Sequence, residues 1–136
     1  MISLAPALSA ARSAAVRELI DGTAGAPGVL KLYGGAQPAV GAAAGEAPLA
    51  VITFALPCGV SDATGLTMTP PAAVLVTKAG EITWGRIEDS EGACVLDADA
   101  AADDGKGGPT GVAIILDRTQ VYPGASLTIT SLVLSE

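Results

Sequence analysis

Glu81-Ile82-Thr83-Trp84-Gly85-Arg86-Ile87-Glu88-Asp89 is the stretch on which the fold class turns. Apolar and polar residues alternate along it with a period of two, the signature of a half-buried strand. The alternation places Ile82, Trp84 and Arg86 on one face and Thr83, Gly85 and Ile87 on the other. Ser90-Glu91-Gly92 supplies turn chemistry, and Ala93 to Asp99 reads as the returning strand. Trp84, the sole tryptophan, is expected as a core anchor between sheets, with an exposed interface anchor as the alternative.

The same grammar extends in both directions. Upstream, Ala73-Val74-Leu75-Val76-Thr77-Lys78 reads as a strand, joined to the first by a two-residue hairpin turn at Ala79-Gly80. A short strand is expected around Leu66-Thr67-Met68, followed by a break at Pro70-Pro71. Leu49 to Leu56 forms another strand with a β-branched centre, closed by Pro57. Val29-Leu30-Lys31-Leu32-Tyr33 ends at Gly34-Gly35, and Gln37 to Pro48 has no periodicity and reads as a loop. Downstream, Ala100 to Pro109 is a second loop. Val112 to Leu116 is an apolar strand, Tyr122-Pro123-Gly124 a turn, and Ser126 to Leu134 the last strand.

Only the N-terminal segment departs from this rhythm. Leu8, Ala15, Val16, Leu19 and Ile20 recur at helical spacing, with Ser9 as a candidate cap and Gly22 placed to end the helix. The stripe is expected to dock against a sheet, with a partner-binding arm as the alternative. Seven or eight short strands follow one helix, without strand–helix–strand alternation. The expected fold is mainly β: an antiparallel sandwich, jelly-roll-like or Ig-like, with one N-terminal amphipathic helix. At 136 residues the chain makes one domain, with a helix or arm over 1–27 and the sandwich over 28–136.

Composition excludes most chemistry. There is no His, which removes Ser-His-Asp and Cys-His pairs and His-ligated zinc. A net charge of −7 argues against a protein that tracks nucleic-acid phosphates and against docking on an anionic membrane. Neither Gly34-Gly35 nor Gly105-Lys106-Gly107-Gly108 follows a phosphate-loop pattern. Cys58 and Cys94 have no metal-ligand spacing and read as small buried hydrophobes, although spacing alone leaves a disulfide open. Met1 to Ala15 lacks a basic region followed by a continuous apolar run, so synthesis and folding in the cytosol are expected. Half of the 14 acids lie between Glu88 and Asp104. They read as a solvated acidic rim; the sharper alternative is a Ca²⁺ site built from Asp97, Asp99, Asp103 and Asp104. No catalytic residues, cofactor or metal are assigned. The candidate contact residues are Leu8, Val16, Leu19 and Ile20 on the helix, with Tyr33 and Tyr122 as amphipathic edge residues.

The order of these segments resembles a family. A helix ending Glu18-Leu19-Ile20-Asp21-Gly22 runs into Gly28-Val29-Leu30-Lys31-Leu32-Tyr33-Gly34-Gly35. Ile82 to Gly92 and Val95 to Asp99 come next, and the chain closes with Tyr122-Pro123-Gly124-Ala125-Ser126-Leu127-Thr128-Ile129-Thr130-Ser131. In this the chain resembles small structural proteins of tailed bacteriophages and prophages, over nearly its whole length except the two loops. The resemblance implies a virion component without catalytic residues, made in the host cytoplasm. It would be a homo-oligomer partnered by the major capsid protein or other virion proteins. Jelly-roll cement proteins that decorate capsids have this size and strand content, so capsid decoration is the expected role. A tail or head–tail connector component is the alternative.

Overall fold

The central strand is the one the sequence marks most clearly. In the computed structural model, which describes residues 3, 5–22, 27–55, 57–69, 74–103, 105 and 112–135, β6 (Gly80–Glu88) pairs with three other strands. Its partners are β1 (Val29–Gly34), β7 (Cys94–Ala102) and β9 (Gln120–Val121). The hairpin from β6 to β7 turns where Ser90-Glu91-Gly92 predicts. Asp89 Oδ1 accepts the Glu91 and Ala93 backbone N–H groups, and Gly92 takes a φ of 84°.

The remaining elements are α1 (Pro6–Asp21), β2 (Ala50–Thr53), β3 (Gly59–Asp62), β4 (Gly65–Met68), β5 (Val74–Leu75), β8 (Ile114–Leu116), β10 (Ser126–Leu127) and β11 (Ile129–Ser135). The main sheet runs β2-β1-β6-β7-β8-β11-β4-β3. The protein is thus mainly β with one helix, but the sheet is a curled, mixed half-barrel. The expected antiparallel sandwich gives way here, because β7 and β8 pair in parallel, Ala100 against Ile114. Eleven strands are described, against the seven or eight expected. β3 and β9 were not foreseen, and the predicted last strand divides at Thr128 into β10 and β11.

Curling has a local cause. Register shifts leave Thr83 in β6, Val95 in β7 and Thr130 in β11 without a partner opposite. Each is a β-bulge, which bends its strand and raises the twist. The two flanks of the curl are tied together. β5 pairs with β10, which leads through Thr128 into β11, and an isolated Ala50–Val76 bridge joins the end of β5 to β2. The expected hairpin at Ala79-Gly80 does not form, because β5 takes β10 as its partner and β6 does not pair with it. The Tyr122-Pro123-Gly124 turn does form. It is closed by the Ala125 N–H to the Tyr122 carbonyl at 3.1 Å, with Gly124 at a φ of 83°.

The concave side holds the core: Leu30 and Leu32 of β1, Ile82 and Ile87 of β6, Ile114 and Leu116 of β8, Leu127 and Leu132. Burying each such side chain stabilises by roughly 1.5–3 kcal/mol. Gly85 also faces inward. A Cβ there would stand 2.8 Å from Ile114 Cδ1 and 3.1 Å from both Leu30 Cδ1 and Leu32 Cδ2.

Helix α1 packs chiefly on β3 and β4 and touches β7. It begins at Pro6, whose fixed φ suits a first helical position, so Ser9 lies inside the helix and does not cap it. Its end is fixed by the Gly22 N–H to the Glu18 carbonyl, the Gly28 N–H to the Ile20 carbonyl, and the Cys58 N–H to Asp21 Oδ1 at 2.8 Å. The buried face keeps Ile20 and Val16 of the predicted stripe but not the rest. Ser9, Ser13 and Ile20 are buried with Val16 half-buried, whereas Leu8, Ala15 and Leu19 are exposed. Small serines let the helix approach the sheet closely, and that gain in proximity outweighs side-chain size in choosing the face.

Candidate functional site

The convex side of β1, β6 and β7 carries the densest group of chemically capable side chains. Its composition follows from the bulge at Thr83. That extra residue reverses the alternation, so Ile82 joins Gly85 and Ile87 in the core while Trp84 and Arg86 point outward. The expectation that Ile82 and Trp84 share a face is corrected by this one residue. Trp84 is buried, but outside the core cluster and on the opposite side of the sheet.

Register then assembles the group. Tyr33 lies opposite Trp84, and the rings stack with centroids 4.6 Å apart and planes 17° apart. The Arg86 guanidinium carbon sits 5.4 Å from the Trp84 ring centroid, within cation–π range. Arg86 lies opposite Asp97 on β7. Its Nε donates to Oδ1 at 2.6 Å and its Nη2 to Oδ2 at 2.9 Å, a bidentate pair with both side chains buried. Lys31, on the other side of Arg86, would meet like charge; it pairs with Glu88 at 2.9 Å instead. Cys94 Sγ donates to Asp97 Oδ1 at 3.7 Å. The Trp84 indole N–H donates to the Gly34 carbonyl at 3.2 Å.

These contacts fix the protonation states. The hydrogen bonds to Asp97 hold the Arg86 guanidinium more firmly protonated than usual. Burial, and then the Asp97 charge, push the Cys94 thiol up. Burial also raises Tyr33. Cys58 is pushed up to about 12, first by burial and then by its hydrogen bond to Asp21. Both thiols are free and held in the protonated form, which is the unreactive one. The carboxylate beside the Cys94 thiol, that of Asp97, is held by the Arg86 guanidinium.

The acidic segment is used for local structure. Asp97 is taken by Arg86, Asp99 is exposed, and Asp103 Oδ1 accepts the Gly105 N–H at 2.8 Å. Asp104 lies outside the described residues, as do Lys106, Gly107, Gly108 and the Pro70-Pro71 break. Among the described residues no three His, Cys, Asp or Glu side chains converge as metal ligands. Asp62 and Asp117 likewise bind nearby main-chain N–H groups, those of Thr64 and Thr128.

Of the predicted contact residues, Leu8 is 49 % exposed, Leu19 59 % and Tyr122 61 %. Val16 is half-buried, and Ile20 and Tyr33 are buried. Other exposed apolar side chains escaped sequence reasoning. Val51 on β2 and Leu75 on β5 lie side by side in the register that the Ala50–Val76 bridge sets. The signal for them was absent, because it depends on which strands meet. A groove of about 340 Å³ runs between β7 and β11, lined by Leu96, Ala98, Val112, Ala113, Val133 and Leu134. No described helix is long and apolar enough to cross a membrane. No protein-family model matches the chain, and neither a curated protein nor a solved structure matches it.

Proposed function

We propose that this chain is a non-catalytic structural protein of a tailed-bacteriophage virion, a capsid decoration (cement) protein that bridges major capsid subunits and stabilises the head. The observation that carries the contact role is the inverted helix. α1 docks on its own sheet through Ser9, Ser13 and Ile20 and turns Leu8 and Leu19 to solvent. A helix that buries its small polar residues and exposes its leucines is arranged for an additional partner. Tyr122, Val51 and Leu75 add exposed apolar surface on the sheet side. On the convex face Arg86 is paired with Asp97 and Lys31 with Glu88, which suits a part that binds by shape and area. Small contacts repeated over many symmetric copies sum to firm attachment. The charge of −7 suits an outer surface away from packaged nucleic acid. The phage assignment itself rests on the sequence resemblance.

Virions produced from the genome that encodes this chain provide the test. Quantitative mass spectrometry of separated heads and tails should find the protein on heads, at a copy number commensurate with the major capsid protein. Stripping it should leave intact heads that rupture at lower temperature. Recovery on tails alone would replace decoration with a tail or connector role. Absence from both fractions would end the virion reading.

A further inference from the structure

β8 is shorter than the two strands it lies between. β7 pairs with it only through residues 100–102, and the β11 ladder with it ends at Leu132. β7 is parallel to β8 and β11 antiparallel, so residues 94–99 of β7 and 133–135 of β11 run on past the same end of β8. β6 and β4 hold the far sides of these two stretches. Among the described residues no strand lies in the space between them. The chain does not carry the line of β8 into it. It bends at Ala113, whose carbonyl still accepts the Val133 N–H at 3.2 Å. The groove of about 340 Å³ occupies this place. Two strands that flank a third stand about 10 Å apart, the width of one strand with a hydrogen-bonded ladder on each side.

We propose that this groove receives an extended segment of a partner chain, with apolar and basic residues alternating, which enters as a strand between β7 and β11 and pairs with both. Open strand edges take up extended peptides through main-chain hydrogen bonds, while the flanking side chains choose the sequence. The core is unfinished here. Leu96, Ala98, Ala113 and Leu134 pack against it but are only half-buried. The inward side chains of an inserted strand complete their cover, which asks for apolar residues at alternate positions. The outward side chains stand on the acidic side of the molecule. Half of the 14 acids lie between Glu88 and Asp104, and Asp99 on β7 and Glu91 in the turn before it are exposed. A net charge of −7 also draws a cationic segment from a distance. The inference rests on the sheet and does not depend on a virion role.

The probe is a synthetic peptide of alternating Lys and Val, acetylated and amidated at its ends, titrated into the ¹⁵N-labelled full chain. At or below millimolar concentration it should shift the Leu96 and Ala98 amides together with those of Val133 and Leu134. N-methylation of alternate peptide amides blocks one edge of a strand. Methylating either alternate set should weaken binding about 10-fold or more, because both edges pair in the slot. Exchanging Lys for Glu should weaken it as much. In the free protein, the amides among residues 96–99 that turn away from β6 should exchange in D₂O about 10-fold or more faster than those that pair with it. No binding of the Lys peptide overturns the proposal, and so does equal binding of the Glu peptide. Sensitivity to only one methylated set shows addition to a single edge, and uniform protection of residues 96–99 shows a slot already closed. Either result overturns insertion.

Discussion

Arg86 and Asp97 face each other across β6 and β7 and close a bidentate ion pair, at 2.6 and 2.9 Å, with the carboxylate fully buried and the guanidinium nearly so. A buried pair of this kind is weak evidence of net stabilisation, because taking two charges out of water costs nearly what their attraction returns. Breaking it is another matter, since the surviving charge stays buried without a partner. Asp97→Ala should therefore cost on the order of 3–5 kcal/mol in urea unfolding. The double variant Arg86→Met with Asp97→Leu should recover most of that loss. A single variant as stable as the parent would show that Arg86 finds water or another carboxylate.

Cys58 sets a pH dependence. Its thiol ordinarily loses its proton near 9.0 but is held up to about 12 in the folded chain. The unfolded chain therefore binds fewer protons above that ordinary value, and stability must fall as pH rises. The contribution is fully present below about pH 9 and is lost between there and about pH 12. Melting temperatures measured at pH 8 and at pH 10.5 should converge in Cys58→Ala relative to the parent. An equal alkaline drop in both proteins would remove Cys58 as its source.

Gly85 is a packing constraint. Any side chain there enters the space of Ile114, Leu30 and Leu32. Gly85→Val should cost about 1–3 kcal/mol through overpacking. Pairing it with Ile114→Ala, which vacates the nearest contact, should return part of that stability. Failure of the second change to compensate would place the strain in the backbone.

Much of this architecture is written locally. The β6–β7 hairpin follows from alternation and from the Asp89-to-Gly92 turn, both contained in a few neighbouring residues. The Arg86–Asp97 pair is not. The turn over Ser90-Glu91-Gly92 sets Glu88 against Cys94 and, continued, would set Arg86 against Leu96; only the unpaired Val95 brings Asp97 into line. Other features depend on partners far along the chain. The bulge at Thr83 exists only relative to β1, and it alone decides that Trp84 leaves the core. β3, with Gly59-Val60-Ser61-Asp62, shows no alternation because α1 packs against it. The helix stripe misled for a related reason. Periodicity weighs side-chain size, while docking on β3 and β4 rewarded the smallness of Ser9 and Ser13. Asp97 read as part of a solvated acidic rim, with a cation ligand as the alternative, because its partner lies on another strand.

The contact surface of α1 is where the account is most exposed to test. Leu8→Glu with Leu19→Glu changes two side chains that are about half exposed, so the fold should survive with a nearly unchanged melting temperature. The decisive measurement is co-sedimentation of this folded double variant with virion heads stripped of the native protein, beside the parent chain. The account predicts that the parent rebinds and the variant stays in the supernatant. Equal rebinding of both chains would contradict the role of α1, and failure of the parent to bind heads at all would contradict decoration itself.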